Sequence, residues 1–100
     1  MSRTKDTHRR IEAEIVQEKA AALGRAGERL EAALDVVASI GRRLDVTRDA
    51  VERARLLAEY EDARARALHA RLALLIQREA IGLLRHRAVE ATYPEPPRRS

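Results

Sequence analysis

Leu44-Asp45-Val46-Thr47, followed by Arg48-Asp49, is the stretch whose reading decides the fold. Thr47 is placed to cap a helix with its hydroxyl, and Asp49 then sits in the first turn, where the helix dipole favours a negative charge. Val46 can staple onto Val51, and Arg42 and Arg43 lie where a preceding helix would close and a cation is favoured. These signals together predict a chain reversal at residues 45–47. Without it, the chain would run on as one uninterrupted rod.

Outward from the turn the sequence reads as helix in both directions. The first proline is Pro94, and 19 alanines and 12 leucines are spread along the chain. Because proline removes a backbone donor and clashes inside a helix, its absence up to that point permits helix almost throughout. Helix 1 is predicted over about residues 5–44, after a disordered residues 1–4. Val16, Leu23, Leu30, Val37 and Leu44 recur every seven residues, and Ala26, Ala33 and Ile40 follow three of them at the next seam position, a heptad-like stripe. Gly24, Gly27 and Gly41 weaken it by about 1 kcal/mol each, so a break near Gly24 to Gly27, giving three helices, is an alternative. Helix 2 is predicted over about residues 48–90, and residues 91–100, with Pro94, Pro96 and Pro97, as an extended polyproline-like tail. The fold class is all-α, a long antiparallel, coiled-coil-like helical hairpin. Reversal at 45–47 would set Val16 against Leu75 and Ile76, Leu23 against Leu68, and Gly27 against Ala65.

At 100° per residue helix 2 has two apolar faces. One carries Val51, Ala58, Ala65 and Leu72 with Ala54, Leu68 and Leu75, and is the face assigned to helix 1. The other carries Tyr60, Ala67, Leu74, Ile81 and Ala88, with Leu56, Ala63, Ala70 and Leu84 beside it. A two-helix hairpin leaves the second face wet, and an apolar surface of that extent marks an interface. The expectation is a homodimer, a four-helix bundle paired through Leu56, Tyr60, Ala67, Leu74, Ile81 and Leu84. Glu61 and Lys19 fall in the two seams, where buried polar residues would set register.

Composition limits the chemistry. Tyr60 and Tyr93 are the only aromatics, and alanine supplies much of the apolar content; such a core stabilises weakly per residue, which also argues for association. There is no cysteine, hence no disulfide or thiolate chemistry. The N-terminal residues lack the apolar stretch of a secretory signal and no run suffices for a membrane span, so a cytoplasmic location is expected. Neither a glycine-rich phosphate loop nor a nucleophile elbow occurs, so no enzyme activity, catalytic residue or cofactor is expected.

Two clusters hold charged or ligating groups. Arg64, Arg71, Arg78 and Arg85 repeat every seven residues on helix 2, and Arg87 follows. Arg71, Arg78, Arg85 and Arg87 could contact an anion or a nucleic acid at the basic end opposite the turn. No aromatics are interleaved for base stacking, and arginines flanking a helix interface, their stems covering apolar surface, are the better explanation of the row. His8 with Glu12 and His86 with Glu90 are spaced i, i+4. They read as surface pairs rather than metal ligands, since the Glu-x-x-His spacing of bundle metal sites is missing.

Gln77-Arg78-Glu79-Ala80-Ile81-Gly82-Leu83, followed by Tyr93-Pro94-Glu95-Pro96-Pro97, resembles the C-terminal end of a family of short bacterial helical proteins of unknown function. The resemblance covers about a quarter of the chain, and implies a small cytoplasmic bacterial protein without supplying an activity. The expected function is a non-enzymatic helical interaction, adaptor or small regulatory protein. The alternative is a nucleic-acid-associated accessory protein using the basic end.

Overall fold

Asp49, rather than Thr47, opens the second helix. In the computed structural model, which describes residues 3–100, α1 spans Arg3–Val46 and α2 spans Ala50–Ala80. The Asp49 backbone is extended (φ −67°, ψ 126°), and its Oδ2 accepts a 2.9 Å hydrogen bond from the Glu52 amide. Such an N-cap stabilises a helix by about 1 kcal/mol. Thr47 instead serves α1: its hydroxyl donates to the Arg43 carbonyl at 2.6 Å. Arg53 Nη1 donates to the Leu44 carbonyl at 2.9 Å and ties the end of α1 to the start of α2. Val46 and Val51 are 78% and 80% exposed, so no staple forms. The reversal therefore falls at residues 47–49, two residues later than the sequence predicts.

Gly24 and Gly27 do not break α1. Ala26 and Leu30 beside them are fully buried against the C-terminal half of the hairpin, and packing of one helix face outweighs the propensity cost of a glycine. Arg3 and Thr4 belong to α1; Met1 and Ser2, the rest of the expected disordered start, lie outside the described residues.

The pairing of α1 with α2 is antiparallel, as expected, but through the other face of α2. Val37, Ile40 and Leu44 cluster with Leu56, Tyr60, Ala63 and Ala67. A second cluster joins Ala26, Leu30, Leu74 and Val89, with Leu23 and Leu75 packed against it. Leu23 thus lies with Leu74 and Leu75 rather than Leu68, a shift of about two helical turns. Leu56, Tyr60, Ala67 and Leu74, expected on an external interface, are core residues at most 5% exposed. Ile81 is half-buried, and of the six expected interface residues only Leu84, 73% exposed, stands in solvent. Pairing of two copies through this face would require the hairpin to open. Conversely Val51, Leu72 and Ile76, on or beside the face assigned to helix 1, are largely exposed. Both faces repeat every seven residues. On the face of Leu56, Tyr60 and Leu74 the returning chain adds Val89 and Tyr93 to the buried clusters, and burial scales with the apolar area removed from water. Lys19 and Glu61 consequently lie exposed, not in seams.

The second helix also ends earlier than expected, at Ala80 rather than near residue 90. Gly82 adopts φ +89°, a left-handed conformation that side chains with a Cβ rarely take. Its N–H donates to the Glu79 carbonyl at 3.0 Å and the Leu83 N–H to the Arg78 carbonyl at 2.9 Å. This pair of bonds is a Schellman stop. After the irregular residues 81–86, a short helix α3 (Arg87–Thr92) lays Val89 into the second cluster. Residues 93–100 then run back along the groove between α1 and α2 toward the turn.

Because α2 stops at Ala80 and the chain doubles back, no other segment among the described residues covers the start of α1. Every residue from 3 to 21 is exposed, and the molecule is a rod of 73 × 21 × 15 Å. None of its helices is long and apolar enough to cross a membrane, among the described residues.

Candidate functional site

One flank of α2 carries a row of side-chain donors, Arg53, Tyr60, Arg64, Arg71 and Arg78, at spacings that keep them on one side of a helix. Each reaches a main-chain carbonyl of the returning C-terminal segment, in antiparallel order. Arg53 Nη2 donates to Ser100 at 3.4 Å, the Tyr60 hydroxyl to Pro97 at 2.6 Å and Arg64 Nε to Pro96 at 2.8 Å. Arg71 Nε donates to Tyr93 at 2.9 Å and Arg78 Nη2 to Arg85 at 3.0 Å. A proline-rich segment forms no internal ladder, so its carbonyls need outside donors. Tyrosine and arginine supply them while their rings and stems cover the apolar groove.

Further contacts fasten the tail to both helices. Arg99 pairs with Asp45 at the end of α1 and lies 5.8 Å from the Tyr60 ring centroid, a cation–π arrangement. Glu95 lies 3.7 Å from Arg71, whose side chain is only 13% exposed. The Tyr93 hydroxyl donates to Glu31 of α1. Between α1 and the tail an open groove of about 440 Å³ remains, lined by Leu34, Val37, Gly41, Tyr60, Tyr93 and Pro97 among others.

The arginine row therefore has a different occupation from the one expected. Arg71 spends its guanidinium group on the Tyr93 carbonyl and Arg78 on the Arg85 carbonyl of the connection after α2, which removes two of the four expected anion or nucleic-acid contacts from free surface. Arg85 and Arg87 are exposed. His86 pairs with Glu79 at 3.0 Å rather than with Glu90, and Arg78 Nε approaches its Nδ1 at 3.4 Å. His8 and Glu12 stand 3.8 Å apart on the exposed arm. Among the described residues no three acidic or histidine side chains gather as metal ligands. The sequence assigns no structural role to Arg53, Gly82, Val89 or Tyr93. The available signals were a glycine placed to stop α2 and a row of donors on the same chain as a segment of unsatisfied carbonyls.

The Tyr93 phenol is held above its ordinary range, chiefly by its hydrogen bond to Glu31, then by burial and by the charge on that carboxylate. All three favour the neutral phenol in the folded state. The unfolded chain would ionise first, so this contact's contribution is complete below the ordinary tyrosine range and is lost as pH rises through the folded value. In an ultraviolet titration of tyrosinate, Tyr93 is expected to ionise late. Glu31→Gln should move that step toward the ordinary value, and an unchanged late step would show that Glu31 is not its cause.

A second surface lies at the opposite end. The uncovered part of α1 exposes Ile11, Ile15 and Val16 at 51%, 44% and 65%. Where α2 leaves α1, an apolar groove of about 390 Å³ is lined by Val16, Lys19, Ala20, Leu23 and Ile81. Leu83 and Leu84 flank this end at 42% and 73% exposure. No protein-family model, curated protein or solved structure matches this chain.

Proposed function

We propose that this chain is a non-enzymatic helical interaction protein that acts through self-association and binding of a partner helix at the open end of the hairpin. The observation that carries the reading is the uncovered start of α1, where Ile11, Ile15 and Val16 remain exposed among the described residues. An isolated helix of that length is marginal in water, and in proteins such a helix draws most of its stability from packing an apolar face. Ile81 joins Val16 and Leu23 in lining the apolar groove at this end. At the opposite end Val46 and Val51 are exposed as well, but there the returning tail packs along both helices. Sedimentation equilibrium across the micromolar range tests the reading: a mass above that of one chain is expected, and a monomer throughout would overturn self-association.

A further inference from the structure

The uncovered arm of α1 is divided by charge. Residues 3–10 hold Arg3, Lys5, Arg9 and Arg10 against Asp6, whereas residues 11–18 hold Glu12, Glu14 and Glu18 and no base. We propose that two copies of this chain pair through these arms in antiparallel order, each arm taking the place that α2 vacates beside the other. The proposal rests on the self-association reading above and assigns its partner and geometry.

Ile11 and Ile15 are one turn apart and lie on one side of α1. An antiparallel overlap centred between them sets Ile11 against the partner's Ile15 and, by two-fold symmetry, Ile15 against the partner's Ile11. The same register brings His8 opposite the partner's Glu18, Arg10 within a turn of the partner's Glu14, and Thr4 opposite the partner's Ala22. Parallel pairing would stack the basic halves together and the acidic halves together, and like charges facing one another across an interface select against that order. Among the described residues no other segment of the chain covers Ile11 and Ile15: Gly82 turns the backbone away and residues 93–100 run toward the other end. Glu12, Glu14 and Glu18 also make the arm a poor match for a phosphate backbone.

The chain contains no cysteine, so single substitutions report proximity directly. Thr4→Cys and Ala22→Cys chains, mixed and oxidised gently, are expected to form mainly the mixed disulfide, because only the antiparallel register brings positions 4 and 22 within bridging distance. Same-site dimers in excess would establish parallel order, and a statistical mixture would indicate collision; either overturns the proposal. In parallel, the Ile11→Glu/Ile15→Glu chain should dissociate at a concentration at least about tenfold above wild type. Its melting transition should be retained, since both sites lie outside the buried clusters. A double variant that remains as tightly associated as wild type overturns the arm interface while leaving self-association standing, whereas a monomeric wild type overturns both.

Discussion

Leu56→Ala is expected to destabilise the hairpin by about 2–5 kcal/mol, the range for truncating a leucine in a closed core. Leu56 is 1% exposed and shares its cluster with Leu44, Ile40 and Tyr60. Leu44 is equally buried, and α1 and α2 are tied together beside it by Arg53, so the site has little freedom to collapse around a cavity. Domains of this size have only about 5–15 kcal/mol of total stability, and a loss on that scale is a large part of it. The informative control is Leu72→Ala. Leu72 is 54% exposed on the opposite face of α2, and its truncation should cost less than about 1 kcal/mol. Urea denaturation followed by circular dichroism measures both. Equal losses at the two sites would mean that α2 does not present the Leu56 face to α1.

Removing residues 93–100 is expected to cost about 3–5 kcal/mol, although no regular secondary structure is deleted. The tail accepts hydrogen bonds from Arg53, Tyr60, Arg64 and Arg71, and each such bond contributes about 0.5–1.5 kcal/mol net. Tyr93 also packs on the second cluster, and deletion leaves the Tyr60 hydroxyl, in a residue 4% exposed, without its acceptor. At about 4–8 °C per kcal/mol for a domain of this size, the midpoint should fall by more than about 10 °C. Arg64→Met with Arg71→Met separates the donors from the packing. The stems are largely retained while the guanidinium bonds are lost, so the fall should be smaller but still measurable by calorimetry. A truncated chain that melts at the wild-type temperature would show that the tail is an appendage and not part of the core.

The helical class, the reversal between α1 and α2 to within two residues, and the α1 stripe from Leu30 to Leu44 were legible in the residues, whereas Val16 of that stripe is 65% exposed. An absence of proline before Pro94, capping residues around the turn, and leucine and valine spaced by sevens act locally, over one to a few turns. Leu30, Val37, Ile40 and Leu44 of that stripe are indeed buried. The Schellman stop at Gly82 was equally local and could have been read from the glycine alone. The choice between the two faces of α2 was not local. Both carry apolar residues every seven positions, so periodicity cannot rank them. The ranking depends on what else arrives to cover each face, and here that is Val89, Tyr93 and the prolines, returning from far along the chain. For the same reason the arginine row reads as an interface flank, with a phosphate-binding stripe as the alternative, and neither reading names the tail as its partner. Only the folded chain brings the unsatisfied carbonyls of residues 93–100 to those guanidinium groups, and a hydrogen bond between segments distant in sequence leaves no trace in the spacing of either one.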